Sequence, residues 1–300
     1  MSGSRPALWL GDVRPGDVRA ALKAALLSVW HHGPAQAGNL AYLSLLGLFP
    51  FFVLVVMVAG VFGRTEDGMR AIVEVMAVLP PSVAALLNGP VSEVVAERAS
   101  GGLITFGVLV IFWTVTSYAD AVREIIRDAH GDRPRPAVWR HRARSLLVVL
   151  AAVLMMLVAL AVQLLLGSLE AAMRALVPVS VLPDIGLGLK IILPAGSLYL
   201  GLCVALYGLT MPGRRHWSST WPGALVIALG WILVTMAMPP VLVQFGRWSL
   251  AYGSLTGVIV TLIYFWLLGL WLIFGVHFNA ALAKAVQSRL KADDGMERIE

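Results

Sequence analysis

The chain has 300 residues, of which 59% are apolar and 13% are charged, and its mean hydropathy is +0.82. Soluble domains are about 45–50% apolar and about 25% charged, so this composition excludes an ordinary soluble domain and predicts a chain that lies largely in a lipid bilayer. Its single cysteine, Cys203, excludes an internal disulfide and a cysteine-based zinc site. The formal net charge of +6 fits either nucleic-acid binding or basic cytoplasmic loops.

An amphipathic helix is predicted before the first membrane span. After Asp17, a candidate N-cap, apolar residues recur on one helical stripe, namely Val18, Ala21, Leu22, Ala25, Leu26, Val29 and Trp30. The stripe fits a helix lying on the cytoplasmic leaflet or one packed on the underside of a helix bundle. Gly33 and Pro34 then predict a turn into the first span. Residues 1–36 are therefore assigned to a cytoplasmic N-terminal segment with an interfacial helix.

Six segments are long and apolar enough to cross a bilayer, which takes about 20 helical residues. They run from Asn39 to Phe62, Leu103 to Tyr118, Leu146 to Leu166, Ile185 to Leu209, Ala224 to Gln244, and Ser254 to Val276. They predict an all-α membrane domain over residues 37–282 and a cytoplasmic tail over 283–300. No cleavable signal peptide is recognised, so the first span is expected to be retained.

Between the first two spans, residues 65–100 predict a helical hairpin on the outer face of the membrane. The segment is too long for a simple turn and too apolar to lie free in water. Pro80 and Pro81 divide it into two helical pieces. A structural cap and a lid over a vestibule are both open interpretations of this hairpin.

The basic residues predict that both termini are cytoplasmic, because Lys and Arg in short loops stay on that side. Seventeen of the 23 fall in the N-terminal segment, the loops after the second and fourth spans, and the tail, whereas five fall on the opposite side. This bias and the attraction of basic loops to anionic lipid account for the net charge. No nucleic-acid partner is therefore expected.

Motifs at both ends of the membrane domain resemble a known family. The first span reads Ala-Gly-Asn-Leu-Ala-Tyr-Leu-Ser-Leu-Leu-Gly-Leu-Phe-Pro over residues 37–50. The last reads Tyr-Gly-Ser-Leu-Thr-Gly-Val-Ile over 252–259, followed by Gly-Val-His-Phe-Asn-Ala-Ala-Leu over 275–282. These motifs resemble the YihY/BrkB family of bacterial inner-membrane proteins. The resemblance implies a multi-pass, six-span protein of the inner membrane with cytoplasmic ends and a role in envelope integrity, and it implies no particular reaction.

The same family has carried a ribonuclease label, which this sequence does not support. Zinc-dependent nucleases need clustered His and Asp ligands to hold the metal and to activate water. The six histidines form no such cluster along the sequence; they are His31, His32, His130, His141, His216 and His277. We therefore predict a protein that is not an enzyme, with no catalytic residues, no metal site and no cofactor.

Polar and helix-breaking residues in or near the spans mark a candidate substrate path. Pro50 and Pro194 occupy matching positions in two halves of opposite orientation, a feature of inverted-repeat transporters. The candidate residues are Asn39, Tyr42, Pro50, Gln163, Lys190, Pro194, His277 and Asn279. Snorkelling of Lys190 and interhelical hydrogen bonding by Gln163 and Asn39 are the structural alternatives.

Gly253 and Gly257 form a GxxxG motif that Thr261 continues on the same helix face. Small residues at this spacing let another helix backbone approach closely. The motif predicts close packing against a helix of the same chain or of a second copy.

The sequence thus predicts an envelope protein that transports or handles a lipid-like or amphipathic substrate, because charge within the spans is scarce. A non-catalytic membrane scaffold for envelope proteins is the first alternative, and a membrane-bound ribonuclease is the disfavoured one. Membrane lipids are the expected partners, while a homo-oligomer and a complex with envelope proteins are both open.

Overall fold

A computed structural model describes residues 13–62, 101–131, 147–148, 151, 154–155, 185–210, 220–246 and 255–297. Within these ranges the secondary structure is entirely helical. The five helices are α1 (Pro15–Phe62), α2 (Gly101–His130), α3 (Ile185–Leu209), α4 (Trp221–Gly246) and α5 (Leu255–Glu297). Three of them contain segments long and apolar enough to cross a membrane, namely Ile192–Leu209, Trp221–Val241 and Thr256–Leu290. The all-helical class is confirmed, whereas six spans and cytoplasmic termini stay predictions.

The helix bounds agree with the predicted spans at some ends and exceed them at others. The fourth predicted span has the same bounds as α3, and the third is helical at its described residues, 147–148, 151 and 154–155. At the chain end, α5 continues to Glu297, so most of the tail predicted over 283–300 is helical. The hairpin predicted over 65–100 lies outside the described residues.

The turn predicted at Gly33 and Pro34 is wrong, because α1 continues through both residues. Proline removes one helical hydrogen bond, and contacts with α5 support the helix at this point. The Trp266 indole Nε1 donates a hydrogen bond to the Pro34 carbonyl over 3.1 Å. Gly269 of α5 lies so close that a Cβ built on it would stand 3.3 Å from the Ala37 Cα. Tertiary packing thus overrides the local breaker signal.

Asp17 lies at the third position of α1 rather than at the predicted N-cap. The helix begins at Pro15, and proline suits a first helical position because its missing N–H has no partner there anyway. The Asp17 carboxylate reaches back to accept a hydrogen bond from the Arg14 N–H at 3.0 Å, as in half of a capping box. Its Oδ2 also accepts from Arg289 Nε at 3.2 Å and pairs with Arg289 Nη2 at 3.2 Å.

The chain divides into two compact units. In the unit Tyr42–Tyr118, α1 and α2 approach closely at Gly47, where an added Cβ would lie 2.9 Å from the Thr114 Cγ2. The Thr114 hydroxyl donates to the Val110 carbonyl one turn back, at 2.8 Å. This local bond satisfies a polar side chain inside an apolar helix.

The other unit comprises Met1–Ala41 and Ala119–Glu300. Here Ala21 and Ala25 of α1 are fully buried in a cluster with residues of α5, namely Phe278, Leu282 and Val286. Of the two interpretations of the amphipathic stripe, packing on the bundle is therefore confirmed for these alanines. Contact of the remaining stripe with a membrane leaflet stays a prediction.

The backbones of α4 and α5 approach each other closely at Gly223 and Gly275. A Cβ on Gly223 would lie 2.5 Å from the Gly275 carbonyl oxygen, and a Cβ on Gly275 would lie 2.7 Å from the Gly223 oxygen. The predicted packing position Gly257 is exposed, and a Cβ there would have no described atom within 4 Å. The Thr261 hydroxyl bonds locally to the Gly257 carbonyl at 2.8 Å, and Gly253 lies outside the described residues. Gly257 therefore does not pack closely against the described residues, and packing against another part of the chain or against a second copy stays a prediction.

Candidate functional site

A cavity of about 500 Å³ lies between α1 and α2. Six of its lining residues are polar, namely His32, Gln36, Asn39, Glu124, Arg127 and Asp128. The other three are Ala35, Ala121 and Ile125. Ligand sites commonly occupy about 300–1,000 Å³ and combine apolar walls with a few placed polar groups. The cavity has the size and mixed chemistry of such a site.

Helical periodicity explains why these side chains converge. On α1, His32, Gln36 and Asn39 follow each other by four and three residues, which places them on one face. On α2, Glu124 and Asp128 are one turn apart by the same rule. Of the predicted path residues, Asn39 lines the cavity. The other polar lining residues are not among the predicted ones, although their spacing from Asn39 and along α2 is a readable signal.

Gln36 joins the two walls of the cavity. Its Nε2 donates a hydrogen bond to Asp128 Oδ2 at 3.3 Å. Its Oε1 is buried and has no hydrogen-bond partner in the described part of the chain. A buried acceptor without a partner costs about 1–3 kcal/mol.

His277 is a predicted site residue that lies within electrostatic range of the cavity wall. Its residue exposure is 8%, and its Nε2 has no hydrogen-bond partner among the described residues. Asp128, His32, Lys284 and His130 lie near enough to interact electrostatically with its ring. Despite these neighbours, the described residues contain no group of three or more His, Cys, Asp or Glu side chains placed to hold a metal ion.

The end of α2 that carries the cavity residues is fixed by α5. Lys284 Nζ donates to the Ala129 carbonyl at 3.1 Å, and a cation at a helix C-terminus also interacts favourably with the helix dipole. Within α2, Arg123 pairs with Asp120 at 3.8 Å. The Lys284 bond links the α2 backbone to α5 beside the cavity.

Asn279, a predicted path residue, joins two helices. Its Oδ1 accepts a hydrogen bond from the Gly223 N–H at 2.9 Å, and its Nδ2 donates to the Thr220 carbonyl at 3.1 Å. The first N–H groups of a helix have no partner within the helix, so Asn279 of α5 satisfies the start of α4. The adjoining cavity of about 30 Å³ is the size of one water molecule.

The remaining predicted path residues do not line the cavity where their side chains are described. Tyr42 belongs to the unit Tyr42–Tyr118 and is 58% exposed. The helix breaks predicted at Pro50 and Pro194 are wrong, because α1 and α3 are helical on both sides of them. The side chain of Lys190 and the whole of Gln163 lie outside the described residues.

Comparison with known proteins connects the chain to membrane proteins. A family model described as "Virulence factor BrkB" matches residues 29–299. YfkH of Bacillus subtilis (strain 168), a protein named as ribonuclease-like, is 27% identical over 257 residues, which cover 85% of this chain and 91% of that protein. A UPF0761 membrane protein of Alteromonas mediterranea is 22% identical over 274 residues, which cover 88% of this chain and 87% of that protein. No solved structure matches the chain.

Proposed function

This chain belongs to the Virulence factor BrkB family of membrane proteins, and from that premise we propose that it transports or handles a lipid-like or amphipathic substrate. The substrate's polar head enters the cavity between α1 and α2. The observation that carries the proposal is the wall of this cavity of about 500 Å³, which combines six polar residues with two alanines and one isoleucine. Such a wall suits a molecule with both polar and apolar parts.

The position of the cavity relative to the predicted spans also supports an amphipathic substrate. On α1, its lining residues end at Asn39, where the first span is predicted to begin. On α2, they begin at Ala121, shortly after the predicted end of the second span at Tyr118. In the predicted inner-membrane topology, this is the level of the cytoplasmic head groups, which flank about 30 Å of hydrocarbon. A lipid head bound there leaves its tails in the apolar layer.

Reconstitution in vesicles tests the proposal. Purified protein is incorporated with a trace of fluorescent phospholipid, and movement between leaflets is followed by quenching of the outer label. Ala121→Trp is expected to abolish protein-dependent movement, because the indole occupies the cavity. Gly38→Ala is the matched control, since it adds a methyl beside Asn39 at a position where a Cβ meets nothing within 4 Å. Equal movement by wild type and by folded Ala121→Trp protein would contradict the proposal.

A scaffold role for envelope integrity is the second candidate, and an uncovered apolar face on α1 favours it. Leu26 is 56% exposed and Trp30 is 81% exposed, whereas Ala21 and Ala25 of the same stripe are buried. Exposed apolar surface of this kind often marks an interaction site. Vesicles without lipid movement, together with a co-purifying envelope protein that Leu26→Glu releases, would favour the scaffold.

The ribonuclease alternative rests on a name carried by a relative, YfkH. We propose that the present chain is not an enzyme, because its histidines lack the ligand pattern of zinc-dependent nucleases. Purified protein incubated with RNA and divalent metal ions is expected to leave the RNA intact. Cleavage that co-purifies with the protein and is lost on a histidine substitution would overturn this expectation.

A further inference from the structure

We infer that α4 contains a hinge at Pro239 and Pro240, about which its C-terminal end moves relative to the part that is fixed to α5. The inference goes beyond the proposed function and does not depend on the cavity between α1 and α2. It rests on two features that meet at one place in α4. Its prolines remove helical hydrogen bonds there, and the burial of its described side chains ends at the same point.

The two prolines lie inside α4 rather than at one of its ends. A proline has no backbone N–H, and its ring crowds the carbonyl four residues back. Because a helical N–H bonds to the carbonyl at i−4, Pro239 and Pro240 leave the carbonyls of Thr235 and Met236 without their helical donors. A residue that precedes a proline also disfavours the α conformation, and this applies to both Met238 and Pro239. The helix therefore resists bending weakly at this stretch.

The part of α4 before the prolines is fixed to α5. The backbones approach closely at Gly223, and the Trp231 indole Nε1 donates to the Leu268 carbonyl at 2.9 Å. One turn later, the Thr235 hydroxyl lies 3.2 Å from the Tyr264 hydroxyl. These contacts extend over more than three turns of α4, so this part of the helix moves together with α5.

The stretch that contains the prolines is held less firmly. Val234 is the last buried residue of α4 among those described. From Met236 to Val241 every described side chain is exposed or half-buried, and Met236 is 74% exposed. Segments with few buried contacts open at low free energy. A bend here also breaks no bond to the Thr235 and Met236 carbonyls, because the prolines have already removed their donors.

Pro194 of α3 shows what distinguishes the pair in α4. It is a single proline inside its helix, so it removes one donor rather than two in succession. It is half-buried, as are all residues from 193 to 199, whereas Pro239 and Pro240 are both exposed. Packing supports α3 on both sides of its proline, and we therefore expect no hinge there.

The size of the movement follows from the length of the arm. Gln244 lies eight residues after Met236, which at a rise of about 1.5 Å per residue is an arm of about 12 Å. Proline kinks exceed about 20°, so the bend displaces Gln244 by about 4 Å or more. In the predicted topology this is the outer end of α4, and its cytoplasmic end stays on α5.

Double electron–electron resonance on the full-length protein in lipid nanodiscs tests the hinge. The single native cysteine, Cys203, is replaced by alanine, so that spin labels attach only at introduced cysteines. One label is placed at Ile263→Cys on α5 and the other at Gln244→Cys, beyond the prolines. The reference pair combines Ile263→Cys with Leu229→Cys, before the prolines. The distance distribution of the first pair is expected to be broader than that of the reference pair by about 4 Å or more.

The variant Pro239→Ala with Pro240→Ala is expected to narrow the distribution of the first pair to the width of the reference pair, because it restores both N–H donors. Pro222→Ala is the matched control and is expected to leave both widths unchanged, since an N–H in the first turn of α4 has no helical partner. Equal widths of the two pairs without any proline substitution would overturn the inference, whether or not the double variant folds. A first distribution that stays broad in the folded double variant would overturn it as well.

Discussion

The contact between α4 and α5 makes Gly223→Ala a severe substitution although it adds only one methyl group. The added Cβ would lie 2.5 Å from the carbonyl oxygen of Gly275 and 2.7 Å from the Cγ of Asn279. The first neighbour is backbone, so it cannot rotate away. The second holds the hydrogen bond from the Gly223 N–H to Asn279 Oδ1, which the displaced side chain can no longer accept.

Two costs combine in the expected loss of stability. Overpacking a tight interface costs about 1–3 kcal/mol, and a buried N–H left without a partner costs about 1–3 kcal/mol. Gly223→Ala should therefore lower the free energy of unfolding by about 2–6 kcal/mol. Gly257→Ala is the matched control, because a Cβ there meets no described atom within 4 Å. It should raise the stability by less than about 1 kcal/mol, since alanine is favoured over glycine in a helix and Gly257 lies in the first turn of α5.

Unfolding by sodium dodecyl sulfate in mixed micelles, followed by circular dichroism, measures both variants under identical conditions. The predicted order of stability is Gly257→Ala, wild type, then Gly223→Ala. The reasoning is refuted if the two alanine variants unfold at the same detergent fraction. A selective loss of dimer in Gly257→Ala would instead support the packing against a second copy predicted from the GxxxG motif.

Further substitutions at four positions probe the contacts that join α1 to α5 and α4 to α5. Asp17→Asn and Arg289→Gln should each lower the free energy of unfolding by about 1–3 kcal/mol. The double variant should lose less stability than the sum of the two single losses, because both substitutions remove the same ion pair. Additive losses in this double-mutant cycle would contradict a direct interaction. Asn279→Ala should destabilise more than Asn279→Asp, because the aspartate keeps an acceptor for the start of α4, and equal melting temperatures would argue against that role. Trp231→Phe should cost about 1 kcal/mol through loss of its 2.9 Å bond to the Leu268 carbonyl, and an unchanged unfolding midpoint would show that this bond contributes nothing.

Composition and span-length patterns predicted the environment and helix class well, because hydropathy reports directly on transfer from water to lipid. The bounds of α3 were readable for this reason. The family was also predictable from the motifs over 37–50 and 275–282, since these motifs combine several residue types at fixed spacing, and the match over residues 29–299 confirms it.

Local breaker signals were less informative, because tertiary contacts decide their outcome. Gly33 and Pro34 predict a turn, yet α5 packs along this stretch and donates the Trp266 bond, so α1 continues. Similarly, the GxxxG motif predicts close helix packing at Gly257, but in the described part of the chain the backbones of α4 and α5 approach each other at Gly223 and Gly275. Which glycines form a close contact depends on which helices are neighbours in the fold. Local spacing along one sequence does not show this.

The cavity was predictable only in part. Asn39 was selected because a polar residue at the start of an apolar span is unusual, and it lines the cavity. Glu124, Arg127 and Asp128 were less conspicuous, because charges beyond a span end commonly face water. They line the same cavity as His32 and Gln36 because α2 lies beside α1 in the fold. Spacing along the sequence does not show which helices are neighbours.

The most direct test of the account locates a bound lipid on the chain. A phospholipid with a photoreactive group in its head is added to the reconstituted protein, and cross-linked peptides are identified by mass spectrometry. The account predicts cross-links within residues 32–39 and 121–128, lost on competition with unlabelled lipid and in Ala121→Trp. Competable cross-links confined to other parts of the chain, with none in these two segments, would contradict it.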